Sequence, residues 1–237
     1  MKKTLVLMPT FNEISTLESS VRQLMLINPG LDVLVIDDNS PDGTGYLADQ
    51  LAKDFANINV LHRSEKSGLG RAYIAGFHWG VARGYELLVQ MDADGSHRPE
   101  DLPALLSQAQ KVELVIGSRW IQGGEVTNWP KSRQLISRLG NWYAATALDS
   151  ELKDMTAGFR VYQTDLIKRL DLNSIEAQGY GFQVEMTYQT QKLGAKVIEV
   201  PIQFIERENG VSKMTLDIVI EAFLLCTKWG ILRLIRR

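Results

Sequence analysis

The sequence has one cysteine, three histidines, no apolar run long enough to cross a bilayer and almost no charge imbalance, its formal net charge being −2. Each shortage removes a class of protein. The single thiol, Cys226, rules out an internal disulfide and a cysteine-rich zinc site. His62, His78 and His97 show no paired metal-ligand spacing. The near-neutral balance gives no general footing for nucleic acid, so none is expected as a partner. Lys2-Lys3 before Leu5-Val6-Leu7-Met8 resembles the start of a secretory signal, but the apolar run is short and meets Pro9. It reads as the first strand of a cytoplasmic protein. No Gly-Lys-Ser/Thr phosphate loop occurs, and Gly68-Leu69-Gly70-Arg71-Ala72-Tyr73 lacks the third glycine of a dinucleotide fingerprint.

What is there is an ordinary globular composition, 45% hydrophobic and 23% charged over 237 residues, enough chain for a substantial core. Strand signals at Thr4 to Met8, Leu31 to Ile36, Ile58 to Leu61, the run ending at Met91, and Leu114 to Ile116 alternate with helical ones. That alternation predicts an α/β fold with a mostly parallel sheet flanked by helices. Asn12-Glu13-Ile14-Ser15 is expected to cap a first helix. Gly76, Gly80 and Gly84, one turn apart, are expected to let the third helix pack closely. Gln122 to Pro130 reads as a loop or lid, Thr156 to Tyr162 as a strand, and Glu206 to Met214 as a polar segment able to close over a ligand. Residues 1–214 read as one domain. Residues 215–237 read as a terminal amphipathic helix with Leu216, Val219, Ile220, Phe223, Leu224, Ile231, Leu234 and Ile235 on one stripe. Its late cations suit either packing on the domain or an anionic membrane surface.

The chemistry concentrates where Val89-Gln90-Met91 runs into Asp92-Ala93-Asp94. Side chains alternate along a strand, so the two carboxylates point the same way from its carboxyl end. Like charges that close favour a cation between them. Hard oxygen ligands suit Mg²⁺ or Mn²⁺, which keep positions for water and substrate phosphates. Ligands of parallel sheets bind at the carboxyl ends of strands, where Thr10 to Glu13, Asp37 to Asp42 and Asp92 to His97 should converge. Taken alone, each cluster is also an unremarkable turn former. Their meeting in one crevice favours a clamp on a diphosphate. Phe11 offers a stacking face, Glu13 and Asp38 acceptors for ribose or base, and Arg119, Arg207 and Lys213 countercharges. His97 is placed to support the metal site from behind.

Pro9-Thr10-Phe11-Asn12-Glu13, the run Val35 to Thr44, Gly68-Leu69-Gly70, Met91-Asp92-Ala93-Asp94, Gly117-Ser118-Arg119 and Arg207 with Ser212-Lys213 together resemble family-2 glycosyltransferases of the GT-A fold, specifically the dolichol-phosphate mannose synthase group. The resemblance implies that Pro9, Phe11, Glu13, Ile36 and Asp38 contact the nucleotide, and that Asp92, Ala93 and Asp94 hold metal and GDP-mannose. It makes Arg119, Arg207 and Lys213 phosphate ligands, so that Asp92, Asp94 and these three cations form the catalytic set. Arg119, Arg133 and Ser137 would receive the phosphate of a polyprenyl (dolichyl-type) lipid. The group usually has Tyr where this chain has Phe11, which keeps the stacking face without the hydroxyl, and Leu where it has Gly95. The implied reaction is inverting mannose transfer, with a divalent ion, Mg²⁺ or Mn²⁺, as cofactor. Close alternatives are a relative using UDP-glucose and a non-catalytic nucleotide-sugar binding module. Glu185 is a candidate to orient the acceptor without abstracting a proton. Membrane access is expected to be peripheral, on the cytoplasmic face, through the terminal helix, a membrane-anchoring partner protein or collision.

Overall fold

A computed structural model describes residues 2–177, 179, 181–206 and 216–235, with side chains of the last stretch described from 223 to 233. Among these residues nine strands form: β1 (Thr4–Thr10), β2 (Asp32–Asp37), β3 (Ile58–His62), β4 (Leu87–Gln90), β5 (Leu114–Ser118), β6 (Glu125–Thr127), β7 (Arg160–Gln163), β8 (Val197–Pro201) and β9 (Gln203–Ile205). Seven of them build one sheet in the order β3-β2-β1-β4-β7-β5-β8. All neighbours in it run parallel except β7, which is antiparallel to both β4 and β5. The strands buried on both faces read as continuous apolar runs, as parallel sheets covered by helices require.

The helices are α1 (Leu17–Ile27), α2 (Thr44–Asp54), α3 (Leu69–Ala82), α4 (Leu102–Gln108), α5 (Lys131–Leu148), α6 (Thr164–Arg169), α7 (Gly181–Lys192) and α8 (Leu216–Ile235). Alternation along β1 divides the core between two faces. Leu5 and Leu7 pack with Tyr73 and Phe77 of α3 and Phe182 of α7. Val6 and Met8 pack with Leu17 and Val21 of α1, Leu51 of α2 and Leu105 of α4. A Cβ on Gly76 would lie 2.6 Å from the Ile36 side chain, and one on Gly80 2.5 Å from that of Leu88, so both glycines admit α3 close to the sheet. Gly84 does not share that role. It lies beyond the helix at φ +71° with open space around it, and ends α3 rather than packing it.

Three further expectations are corrected. α1 begins at Leu17 because Asn12 has φ +59° and the Glu13 carbonyl first accepts the Thr16 and Leu17 N–H groups at 3.1 and 2.9 Å, closing a tight turn. The stretch from Gln122 to Pro130 is no unstructured lid: β6 lies within it and pairs in parallel with β9. The strand expected from Thr156 starts only at Arg160, since the residues before it are committed to side-chain contacts described below.

α8 packs on α5 and α7. Cys226 and Trp229 are buried, Trp229 stacks on Tyr188 at 5.7 Å, and Tyr143 Oη lies 2.6 Å from Thr227 Oγ1. Of the apolar stripe, Phe223, Leu224 and Ile231 are 53%, 60% and 52% exposed, Phe223 nonetheless stacking on Tyr143 of α5 at 4.5 Å; the side chains of Leu216, Val219, Ile220, Leu234 and Ile235 lie outside those described. Among the described residues no helix is long and apolar enough to cross a membrane.

Candidate active site

The ends of β1, β2 and β4 lie side by side, and the turns that follow them are built by carboxylates accepting from nearby donors. After β2, Asp37 accepts from Ser40 Oγ at 2.5 Å and from Thr10 Oγ1 at 3.3 Å. Asp42 accepts from the Thr44 N–H and hydroxyl at 3.0 and 2.6 Å and from the Ile14 N–H at 3.3 Å. Burial works to raise its pKa, but these bonds outweigh it and hold the carboxyl below the usual range. The Ser40 and Thr44 hydroxyls also accept the N–H groups of Asn12 and Glu13, tying the turn after β1 to the turn after β2. Pro9 and Ile36 face one another in register across the two strands. Just beyond, the Lys66 ammonium sits 4.0 Å over the Phe11 ring. Asp38, buried, is ion-paired to Arg63 Nη1 at 2.5 Å; burial raises its pKa and Arg63 recovers part of that shift. The sequence reading missed Arg63 as this partner.

The turn after β4 is held from four directions. The Asp92 N–H donates to Nδ1 of His97 at 2.9 Å, so the imidazole supports the backbone of the first aspartate. Tyr73 Oη, from α3, donates to Asp92 Oδ1 at 3.0 Å. Burial, then the adjacent Asp92 and Asp94, push the Tyr73 phenol well above its ordinary pKa, so it remains a donor. Ser20 of α1 donates to the carbonyl of Ala93 at 2.9 Å, and the Ile205 N–H to that of Ser96 at 3.2 Å. Asp94 Oδ1 accepts from the Ser96 N–H and hydroxyl at 3.0 and 2.6 Å. Gly95, at φ +77°, makes the left-handed bend that this turn needs.

Asp92 and Asp94 offer hard carboxylate oxygens, and among the described residues no group of three or more His, Cys, Asp or Glu stands ready to enclose a metal. Two carboxylates fit a hard divalent ion that fills the rest of its shell with water and phosphate oxygens. A cage of protein ligands would not.

A second group lies on the other side of this turn. Arg119 follows β5, and its Nε and Nη2 make a two-pronged pair with Asp154 at 2.7 and 2.6 Å; Asp154 is fully buried. Thr156 Oγ1 accepts from Arg119 Nη2 at 2.9 Å and from Asn141 Nδ2 of α5 at 3.1 Å. Asn141 in turn donates to the carbonyl of Ser137 at 2.9 Å. Arg133, one turn before Ser137, pairs with Glu206 and lies 4.0 Å from the Trp129 ring, to which the Arg119 guanidinium is also close at 5.6 Å. Phe204 of β9 joins the two groups, meeting the His97 ring at 5.6 Å, Trp129 at 5.5 Å and the Arg119 guanidinium at 5.5 Å.

The structure therefore brings Arg119, Arg133 and Ser137 into one cluster beside the paired aspartates. Arg207 and Lys213 lie outside the described residues. Tyr73, Asp154, Thr156, Asn141 and Phe204 were not singled out from sequence. The only sequence signal for Asp154 is that an arginine directly after a strand end, if buried, needs an anion, which names no particular one. Glu185, buried, uses its Oε2 to accept the N–H groups of Glu176 and Ala177 at 3.0 and 2.9 Å, holding the chain just before α7.

Residues 5–171 match the model of glycosyl transferase family 2. The chain is 52% identical over 229 residues to the undecaprenyl-phosphate mannosyltransferase of Micrococcus luteus, covering 97% of this chain and 94% of that protein. It is 46% identical over 232 residues to the polyprenol monophosphomannose synthase of Mycolicibacterium smegmatis, covering 97% and 88%. Among solved structures, glucosyl-3-phosphoglycerate synthase from Mycobacterium tuberculosis with Mn²⁺, UDP and phosphoglyceric acid superposes with TM-score 0.70 at 20% identity, over 98% of this chain and 78% of the other. The mannosyltransferase PcManGT from Pyrobaculum calidifontis with GDP-Man and Mn²⁺ does so with TM-score 0.68 at 17% identity, over 98% and 64%. A family match spanning residues 5–171, and 46–52% identity to these two relatives over 97% of the chain, place this chain in glycosyl transferase family 2, within the polyprenol-phosphate mannose synthase group.

Proposed function

We propose that this chain transfers mannose from GDP-mannose to a polyprenyl phosphate, with inversion at the anomeric carbon. The observation that carries the reading is the adjacency of the Asp92–Asp94 turn to the Arg119–Arg133–Ser137 cluster, linked through Phe204. One site suits a metal-bound diphosphate and the other a phosphate monoester. Pro9, Phe11, Glu13 and Asp38 are assigned to the nucleotide end, where Ile36, its side chain buried in the core against Gly76, offers only main chain; Ala93, between the aspartates, is buried. Asp92 and Asp94 would hold Mg²⁺ or Mn²⁺, which supplies charge stabilisation for the departing diphosphate. Arg207 and Lys213 are assigned to the same phosphates from the sequence pattern alone.

The acceptor side needs no strong base. A phosphate monoester has a second pKa of about 6 and is largely ionised at neutral pH, unlike a sugar hydroxyl. Arg119 and Arg133 orient that anion. Asp154 and Glu206 restrain these two cations, so each meets the lipid phosphate from a fixed position. The phosphate oxygen attacks the anomeric carbon from the face opposite the leaving GDP, and the pyrophosphate oxygen takes the bonding pair.

A lipid acceptor requires a membrane-facing surface. α5 exposes Leu135, Ile136, Leu139 and Trp142 at 58%, 57%, 54% and 66%, and α8, packed on it, exposes Phe223, Leu224, Ile231 and Leu232. Lys131 and Arg138 of α5 are exposed alongside. Exposed apolar residues on two packed helices, flanked by cations, suit peripheral contact with an anionic bilayer. The helix carrying that face also carries Arg133 and Ser137, which brings the acceptor cluster to the bilayer edge.

The deciding experiment incubates the chain with GDP-mannose, Mg²⁺ or Mn²⁺ and a short polyprenyl phosphate, with UDP-glucose in a parallel arm, and extracts the lipid product. Mannolipid formed in preference to glucolipid is expected. Glucolipid alone would move the chain to the UDP-glucose alternative, and no glycolipid in either arm would leave only a binding module.

A further inference from the structure

Asp92 and Asp94 are a residue apart yet are fixed by different means. Asp94 is held inside its own turn, by Ser96 two residues on. Asp92 is held by a helix that follows a different strand. Tyr73 lies 19 residues earlier, in α3, and its hydroxyl donates to Asp92 Oδ1 at 3.0 Å. The phenol itself has little freedom. It is fully buried, with the Phe182 ring nearly parallel at 6.1 Å and Phe77 at 6.5 Å. Phe182 is admitted by Gly70, where a Cβ would come within 2.7 Å of its ring. From behind, the His97 imidazole holds the Asp92 N–H, so main chain and carboxylate are constrained at once.

We propose that Tyr73 is the positioning residue for Asp92, setting the rotation of its carboxylate so that metal and diphosphate meet it in one orientation. This rests on the reading of Asp92 as a metal ligand. A carboxylate free to rotate about its last torsion presents a cation with a spread of geometries, because that torsion is broad and roughly two-fold. The hydroxyl removes the spread, as hydrogen bonds behind a ligand commonly do, and losing such a bond costs about 10–100-fold in metal affinity or activity. Tyr73 touches neither sugar nor phosphate in this scheme, and works only through Asp92.

Tyr73→Phe deletes the hydroxyl and keeps the ring stack. GDP binding is measured by calorimetry with and without Mn²⁺, alongside the Mn²⁺ electron paramagnetic resonance spectrum and the melting temperature. In the parent chain Mn²⁺ should tighten GDP binding; if it does not, the metal reading itself falls. Given that gain, Tyr73→Phe should reduce it about tenfold, leave metal-free GDP affinity unchanged and alter the Mn²⁺ spectrum. In an Asp92→Asn background the same change should have no further effect on the Mn²⁺-dependent gain. Phe182→Leu, which loosens the ring but keeps the hydroxyl, should give a smaller loss of that gain and covers the case in which Tyr73→Phe fails to fold. An unchanged Mn²⁺-dependent gain in a folded Tyr73→Phe protein, or an equal loss with and without metal, overturns the proposal.

Discussion

The two sides of the crevice are finished differently. On the nucleotide side the carboxylates are met by donors of the chain itself: Asp37 by Ser40, Asp38 by Arg63, Asp42 by Thr44, Asp92 by Tyr73 and Asp94 by Ser96. On the acceptor side α5 and α8 leave large apolar side chains in water. The polar half is organised before any ligand arrives, which favours charge stabilisation without reorganisation. The apolar half has surface that would gain by leaving water, as the proposed contact with lipid would let it. Binding GDP and reaching the bilayer should therefore be separable properties, and four perturbations test that separation.

The largest effect is expected from Asp94→Ala. Taking away one of two paired ligands should reduce mannolipid formation about 10³-fold, on the order of the loss seen when a main charge-stabilising group is removed. Liposome binding should not change; undiminished product would remove the metal assignment. Next comes Asp154→Ala, which strands the Arg119 guanidinium in a buried setting. Breaking a buried pair from one side costs about 3–5 kcal/mol, roughly a 10 °C fall in melting temperature for a chain of this size. If heat denaturation shows only a degree or two of change, the pair is not holding the acceptor cluster.

Smaller still is the double change Leu135→Gln, Leu139→Gln on the outward side of α5. Partition onto anionic vesicles should drop about tenfold, in line with two half-exposed leucines losing their apolar burial in lipid. GDP binding should be untouched, and vesicle sedimentation matching the parent would assign the apolar face to something other than membrane. The slightest effect belongs to Glu185→Gln. Burial raises the Glu185 pKa above its ordinary 4.5, with the Ala177 and Glu176 N–H groups pulling it back in part. The folded chain then holds this proton where the unfolded chain has released it. The contribution to stability is greatest below pH 4.5 and declines as pH climbs through the folded value. Glutamine retains an acceptor for both N–H groups and does not titrate, so melting temperature against pH should flatten above pH 4.5. A profile identical to the parent would mean that Glu185 loses its proton equally in both states.

The same division governs what could be read from sequence. The nucleotide side was largely legible, because β1, β2 and β4 are continuous apolar runs ending in polar turns and strand alternation places Asp92 and Asp94 together. The acceptor side was less so. Arg119 and Arg133 stood out as cations, but Asp154 lies 35 residues from Arg119 and Glu206 lies 73 from Arg133, separations that carry no local pattern. α8 was legible as a helix with an apolar stripe. Periodicity cannot say which of two apolar sides meets the domain, and here Cys226 and Trp229 face inward while Leu224 and Ile231 do not. Tyr73 read as a core aromatic, which it is; its hydroxyl reaches Asp92 only because the third helix crosses the sheet closely at two glycines.

The reversal of β7 decides which stretch of chain reaches the crevice. Gln90, at the exit of β4, is opposite Arg160, at the entrance of β7. In the neighbouring strands the polar residues of the crevice come after the strand; here they come before it, and Asp154 and Thr156 reach the crevice as an approach rather than a departure. A rule that looks only downstream of strands would walk past them. One inverted strand thus lends the mouth of the sheet a segment that a wholly parallel arrangement would have sent to the opposite pole.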